Sequence, residues 1–367
     1  MEQRQGALES VGVMFRLPDA KFWRGKRVLL TGHTGFKGTW AALWLERLGA
    51  KVTGLALAPD TDPSMFEMTQ AAEGIESMIG DLRDRTFVES AVARAQPQIV
   101  LHLAAQPIVR RAIAEPVDTI ATNVMGTAHL LDALRAVKSV QAVLVVTSDK
   151  VYANADAGAA FREGDELGGK DAYSASKAAT EIITRAFAKS YFEPAKIGVA
   201  TARGGNVVGG GDYAQDRIVP DIVRAATRGE RLTLRMPQAT RPWQHVLDCL
   251  SGYLLYAQAL AEHRDALPRA LNFGPKPGND VTVGQIADNM LQALTGAAGW
   301  DHVPLAGNIE MATLAVDSTL ARETLQWQDR LTGDALFQWT ADWYSAVRDG
   351  ATAREITTQQ IEQYTDL

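Results

Sequence analysis

A short apolar run, Lys26-Arg27-Val28-Leu29-Leu30, leads straight into Gly32-His33-Thr34-Gly35-Phe36-Lys37-Gly38, and this junction limits the chain's possible folds more than any other stretch. The run reads as a strand. Beyond the glycines, Trp40, Leu43, Trp44 and Leu48 recur at helical spacing until Gly49 supplies a stop. Glycines between a strand and a helix let the backbone turn sharply and approach a pyrophosphate, while the helix amino terminus presents unpaired N–H groups. The spacing is G-x-x-G-x-x-G rather than G-x-G-x-x-G, so its place after a first strand, more than the pattern itself, points to a dinucleotide.

The rest of the first two-thirds repeats the strand–helix alternation. Val52 to Leu57, Met78-Ile79, Ile99 to Leu103, Ala142 to Val146 and Ile197 to Ala200 are further strand candidates. Strands this apolar, separated by helices, predict a parallel sheet covered on both faces. The expected fold class is therefore α/β, a doubly wound (Rossmann) parallel sheet with ligands at the carboxyl ends of its strands. From Gly204 the pattern changes: glycines cluster at Gly204, Gly205, Gly209, Gly210 and Gly211, and Leu232-Thr233-Leu234 is short and isolated. This divides the chain into an N-terminal extension (1–21), a dinucleotide-binding domain (22–203) and a smaller α/β C-terminal substrate lobe (204–367), with segments of the last returning to the first domain.

Bulk properties exclude several classes. The formal net charge of -6 gives no general attraction to nucleic acid or anionic membrane. Cys249 is the one cysteine, so no intrachain disulfide forms, and a reducing cytoplasm is the expected compartment. It reads as a small buried apolar side chain. No apolar run reaches the ~18 residues of a spanning helix, and the first 20 residues do not have the form of a secretory signal. The six histidines show no metal-ligand spacing.

Two polar clusters carry the chemistry. Tyr173 and Lys177 lie four apart in Tyr173-Ser174-Ala175-Ser176-Lys177 and so share one helix face. A protonated lysine beside a tyrosine stabilises phenolate and lowers its pKa from about 10, so the tyrosine can take a proton from a hydroxyl while hydride leaves the same carbon. Thr147-Ser148-Asp149-Lys150, just after the Ala142–Val146 strand, adds a hydroxyl donor, an acid and a base on the expected rim. Asp81, after the third strand, is placed either to receive an adenine amino group or to cap a helix. The second strand ends without an acid at its tip, which leaves NAD and NADP unseparated by the ribose rule.

Six stretches carry a resemblance: Thr31-Gly-His-Thr-Gly-Phe-Lys-Gly38, His102-Leu-Ala-Ala-Gln106, Thr147-Ser-Asp-Lys-Val-Tyr152, Tyr173-Ser-Ala-Ser-Lys177, Gly205-Asn-Val-Val-Gly-Gly-Gly-Asp212 and Thr240-Arg-Pro-Trp-Gln-His245. The chain resembles the extended short-chain dehydrogenases/reductases, and within them the nucleotide-sugar 4,6-dehydratases that take CDP-D-glucose. Ser-Asp-Lys is the telling triplet, because dTDP-glucose dehydratases typically carry Thr-Asp-Glu there and 4-epimerases usually lack such a pair.

The resemblance implies NAD as cofactor, contacted by Gly32, Thr34, Gly35, Phe36, Lys37, Gly38, Asp81, Leu82, Leu103, Ala104, Ala105, Thr122, Tyr173 and Lys177. It implies nucleotide-sugar contacts from Gln106, Ser148, Asn206, Arg217 and Arg241, and no metal. In the implied reaction Tyr173 takes the 4-hydroxyl proton as hydride passes from C4 to NAD, and Lys177 holds the nicotinamide ribose and keeps Tyr173 acidic. Ser148 polarises the 4-oxygen, Asp149 protonates the departing 6-hydroxyl, and Lys150 takes the C5 proton or stabilises the enolate. The implied assembly is a homodimer joined through helices around Thr122–Leu134 and Tyr173–Phe187. Tyr213 and Gly205 depart from the Trp and Ala expected of the family. His102, His245 and Trp243 read as structural. The alternatives are a 4,6-dehydratase or 4-epimerase for a dTDP-, UDP- or GDP-hexose and, from another class, a non-catalytic NAD-binding scaffold.

Overall fold

Val28 and Leu30 project to one face of their strand and Leu29 to the other, and all three are buried, because helices cover both faces. The same alternation runs through the neighbouring strands, with Leu101 and Leu144 on the first face and Val100, Val143 and Val145 on the second. The computed structural model describes residues 16–153, 160–276, 281–296, 299–303 and 314–367. Its core is a parallel sheet of β1 (Arg27–Thr31), β2 (Lys51–Ala56), β3 (Glu76–Ile79), β4 (Ile99–His102), β5 (Ala142–Val146), β6 (Gly198–Gly204) and β7 (Ala270–Phe273). The order is β7-β6-β5-β4-β1-β2-β3, so the chain reverses direction between β1 and β4 and opens a crevice beyond their carboxyl ends. Six strands lie where the sequence placed them. The seventh comes from the C-terminal third.

The longer helices are α1 (Phe36–Arg47), α2 (Arg85–Ala95), α3 (Gly126–Leu134), α4 (Ala172–Phe187), α5 (Ile218–Arg228), α6 (Val246–His263), α7 (Val283–Thr295), α8 (Asp334–Arg348) and α9 (Ala353–Asp366). α2, α3 and α4 cover one face of the sheet, and α1 and α6 cover the other. α5, α7 and α8 pack together as the second lobe. Three small pairings accompany them: Val207–Val208 with Gln244–His245, Thr240–Arg241 with Val281–Thr282, and Leu232–Leu234 with Trp300–His302.

Residues 1–15 of the expected N-terminal extension lie outside the described residues. The chain joins the fold ahead of Phe22: Arg16 N–H donates to the Gln326 carbonyl at 2.9 Å, Asp19 caps Ala20–Trp23, and Trp23 is fully buried. At the other end α9 returns to the first domain, where Arg354 holds Glu46 of α1 at 2.7 Å and 2.8 Å. Leu130, Leu131 and Leu134 of α3 are spent in this chain's own core. Five of the exposed apolar side chains are Ile113, Val117, Ile120 and Met125 just before α3 and Ile182 on α4, which packs against that segment.

Candidate active site

The glycine turn after β1 is built so tightly that side chains are excluded at two of its three glycines. Gly32 has φ +78°, and a Cβ there would stand 2.7 Å from the Ala104 backbone nitrogen. A Cβ on Gly38 would stand 1.9 Å from the Gly32 carbonyl oxygen. Gly35 differs: its Cβ would meet only that oxygen, at 3.5 Å, and no side chain caps α1 at this position. The turn therefore leaves an open cradle at a helix amino terminus, which fits a dinucleotide pyrophosphate. Thr34 Oγ1 donates to Leu57 O at 2.9 Å, Ala104 N–H donates to Thr31 Oγ1 at 3.2 Å, and Phe36 packs against the core. Leu103 N–H donates to Thr31 O at 3.2 Å, continuing the strand pairing toward Ala105.

Asp81 accepts from Arg83 N–H and Arg83 Nε–H, both at 2.8 Å, and this pairing holds its carboxyl below the usual range. It forms a turn onto its own chain, while Leu82 is buried beneath Gly126. Thr122 sits in a widened helical turn, Ala121–Met125, that also presents Asn123 inward. Asn123 binds Gln106 N–H at 2.8 Å, Gln106 O at 3.1 Å and Ser176 Oγ at 2.9 Å. The Gln106 side chain closes its own loop, accepting from Ile108 N–H at 2.6 Å and donating to Thr119 Oγ1 at 2.9 Å.

The two catalytic clusters predicted from sequence meet at the carboxyl end of β5. Tyr173 and Lys177 are buried on the face of α4 turned to the sheet, and Lys177 Nζ donates to Val146 O at 3.1 Å. Ser148 Oγ donates to Asp149 Oδ1 at 2.9 Å and is also a hydrogen-bond partner of the Tyr173 hydroxyl. Lys150 Nζ lies 3.6 Å from Asp149 Oδ1.

Burial and the charges of the neighbouring turn set the electrostatics of the site. Burial pushes the Tyr173 phenol above its ordinary pKa, and Lys150, the Ser148 hydrogen bond and Arg217 act against that. The pKa of Lys177 is lowered to about 7 by burial and by the charge of Lys37. Lys150 is thus the leading cation acting on the phenol, and Arg217 adds to it.

A buried ion pair fixes this turn from behind, and sequence reasoning missed it. Arg203 Nη2 donates to Glu181 Oε2 at 2.8 Å, Thr147 Oγ1 to Glu181 Oε1 at 2.5 Å, and Arg203 Nη1 to the Tyr152 hydroxyl at 2.9 Å. The signal was available: Glu181 follows Lys177 by one helical turn, and Arg203 stands in an otherwise buried strand. Charges seldom sit in such places unless paired.

The second lobe supplies the opposite rim. Asn206 follows β6 and its carbonyl accepts from Gln244 N–H at 2.9 Å. Arg217 stands at the start of α5, with Nη1 3.0 Å from Asp212 Oδ2 and within electrostatic reach of Tyr173. Arg241 donates to Thr240 O at 2.8 Å, next to Pro242, which closes over Gly205. An alanine at Gly205 would place its Cβ 2.8 Å from Pro242 Cγ and 3.3 Å from Asp149 Oδ2, which accounts for the smaller residue here. Tyr213 packs edge-on to Tyr344. His102 and His245 are buried, with pKa values pushed down to about 3, and Trp243 donates to Val281 O at 3.0 Å; all three are structural. Among the described residues no group of three or more His, Cys, Asp or Glu side chains could hold a metal, and no helix is long and apolar enough to cross a membrane.

A glycine cradle at a sheet reversal and a Tyr-x-x-x-Lys face at the end of β5, closed by a second lobe, define an extended short-chain dehydrogenase/reductase. The family model described as GDP-mannose 4,6 dehydratase matches residues 29–340, and the chain belongs to that enzyme family. It is 40% identical to the CDP-glucose 4,6-dehydratase of Salmonella typhimurium over 351 residues, covering 94% of this chain and 98% of that one. A solved structure of MoeE5 in complex with UDP-glucuronic acid and NAD is 26% identical, with a TM-score of 0.73, over 88% of this chain and 99% of that one. The dTDP-glucose 4,6-dehydratase of Bacillus anthracis shares the fold at 21% identity and a TM-score of 0.73, over 88% and 97% of the two chains.

Proposed function

We propose that the protein is a CDP-D-glucose 4,6-dehydratase that yields CDP-4-keto-6-deoxy-D-glucose and water. The observation that carries this reading is Ser148, which links the Tyr173 phenol to the Asp149 carboxyl while Lys150 lies against the same carboxyl. A dehydrogenase needs the tyrosine; a dehydratase also needs an acid for the leaving oxygen and a base for C5. The 40% identity to a CDP-glucose enzyme along nearly the whole chain supports the nucleotide.

The cradle of Gly32, Gly35 and Gly38 holds the pyrophosphate of NAD, and the chemistry NAD supplies when bound is a hydride acceptor at C4 and a hydride donor at C6. Tyr173, as phenolate, takes the proton of the 4-hydroxyl, and Ser148 donates to the 4-oxygen as it becomes a ketone. That ketone makes the C5 hydrogen acidic. An amine–carboxylic acid pair and an ammonium–carboxylate pair differ by one proton moved between Lys150 and Asp149. In the first form Lys150 removes the C5 proton and Asp149 protonates the departing 6-oxygen, so the C6–O bond breaks and water leaves. Lys150 then returns its proton to C5 as C6 is reduced. The proton held by Tyr173 passes through Ser148 to Asp149, and the enzyme ends as it began. Asn206, Arg217 and Arg241 bind the sugar-nucleotide diphosphate, where the guanidinium fork suits phosphate oxygens.

Purified protein with NAD should convert CDP-glucose to a product lighter by one water, followed by mass spectrometry. Water loss from dTDP-, UDP- or GDP-glucose alone overturns the nucleotide assignment; an epimerised sugar of unchanged mass overturns the dehydratase reading.

Two copies pair through the apolar face of Val117, Ile120, Met125 and Ile182, too continuous to be left in water. Ile182→Asp should convert a dimer to a monomer in light scattering; an unchanged mass removes this face from the interface. The cytoplasm, with its nucleotide sugars and NAD, is the proposed compartment.

A further inference from the structure

Asp149 is 1% exposed, and its two oxygens are treated differently. Oδ1 accepts from Ser148, whereas Oδ2 is sealed from solvent and has no hydrogen-bond partner. It faces Gly205, where a Cβ would lie 3.3 Å away. A carboxylate oxygen buried without a donor forfeits its hydration, so a donor from within the protein is called for.

One residue earlier, Gly204 makes room for another orphan. A Cβ on Gly204 would stand 2.3 Å from the hydroxyl of Tyr253, a residue in the middle of α6 that the reaction above leaves without a task. This hydroxyl is also buried and lacks a hydrogen bond of sound geometry. The Cys249 thiol, one turn back, lies beside it but is a weak acceptor. A buried donor and a buried acceptor thus flank consecutive glycines at the end of β6. The charge of Asp149 is felt at Tyr253, whose pKa is held well above its ordinary value, chiefly by burial. The phenol is therefore a standing donor. Lys37, from the glycine turn, places its ammonium 5.7 Å over the Tyr253 ring. The groups that act on or with Asp149 are thus Ser148 and Lys150 on its own turn, Tyr173 on α4 and Tyr253 on α6, while Lys37 of α1 and Cys249 of α6 lie against Tyr253.

We propose that Tyr253 is a positioning residue for Asp149: its hydroxyl donates to Asp149 Oδ2 through one water and stabilises the carboxylate that remains after Asp149 has given its proton to the leaving hydroxyl. Tyr253 keeps its own proton throughout. A donor aimed at the charged form of a carboxyl favours that form, and through one bridging water it does so nearly as well.

The role in water loss rests on the dehydratase reading, but the hydrogen bond does not. In protein carrying 13C-labelled aspartate carboxyls, with the Asp149 signal assigned by its loss in Asp149→Asn, Tyr253→Phe should raise the titration midpoint of Asp149 by about one pH unit. With CDP-glucose and NAD, the same variant should lose water about tenfold more slowly. KM and the rate of C4 oxidation should be unchanged, and Tm should not fall, because the hydroxyl has no other partner to lose. An unmoved titration together with an unchanged rate overturns the proposal. If Tyr253→Phe fails to fold, Gly204→Ala, whose Cβ displaces the hydroxyl, should move the titration the same way; an unmoved midpoint there also overturns it. The titration needs no substrate, so wild-type protein that takes no water from CDP-glucose defeats the dehydratase reading without touching this one.

Discussion

Two opposing effects meet at Tyr173. Burial raises its pKa, while the cations and donors of the neighbouring turn lower it, with Lys150 ahead of the Ser148 hydrogen bond and Arg217. Tyr173 acts as a base only once ionised, so C4 oxidation gains speed as pH rises through its pKa. Removing Lys150 takes away the leading counterweight to burial. Lys150→Met should therefore leave C4 oxidation measurable but shift its rise to higher pH, and it should stop water loss. Absorbance of the reduced cofactor reports the first effect and product mass the second. Full turnover with an unshifted profile would remove Lys150 from both tasks. The sequence could not reveal this arrangement, because helix spacing shows that Lys177 shares a face with Tyr173 but not that its ammonium is directed to Val146 O.

At the scale of single elements, the glycine turn separates folding from binding. Gly38 has no room for a methyl group, since its Cβ would overlap the Gly32 carbonyl, while Gly35 has room within the protein and opens outward. Gly38→Ala should lower both Tm and NAD affinity, since the Gly32 carbonyl must move to admit the methyl group. Gly35→Ala should keep Tm and weaken NAD alone. Calorimetry and a cofactor titration check the pair, and equal Tm losses would show that both glycines serve the fold.

This turn and strands β1 to β6 were legible because strands buried on both faces leave continuous apolar runs, and glycines beside them are conspicuous. β7 was not legible. Within Ala270–Phe273, Asn272 interrupts the run because its side chain binds the Tyr152 hydroxyl at 2.6 Å. Pairings of two residues, such as Val207–Val208 with Gln244–His245, are too short to carry any periodicity. The catalytic clusters were legible as motifs. The role proposed for Tyr253 was not, because in sequence it is one more aromatic on an apolar helix, and only the fold sets its hydroxyl against Gly204, next to the Gly205 that Asp149 faces.

Across the whole molecule, the C-terminal helix is tied back to the first domain through one buried acid. Asp248 of α6 accepts from Arg330 N–H at 2.7 Å, Leu331 N–H at 3.2 Å and the Tyr364 hydroxyl at 2.8 Å. These bonds do not offset its burial, which raises its pKa to about 7. In the unfolded chain the same group titrates near 4. Between those values the folded protein holds one proton more than the unfolded chain, so this contribution is complete below about pH 4 and is lost as pH rises through about 7. The loss is on the order of a few kcal/mol. His33, His102 and His245 work in the opposite sense. Burial lowers their pKa values to about 4, 3 and 3, so the unfolded chain binds the extra protons and stability rises between about pH 3 and 6.5. The two trends overlap in the acid range, but above about pH 6.5 the histidines are neutral in both states and Asp248 acts alone among these four. Lys177, whose pKa burial lowers to about 7, makes stability rise over the same range in both proteins, so the difference between them isolates Asp248. Between about pH 6.5 and 8 the wild type should lose stability relative to Asp248→Asn, in urea unfolding at matched ionic strength. A difference that stays constant with pH would mean that the tie between α6 and α9 does not titrate in this range.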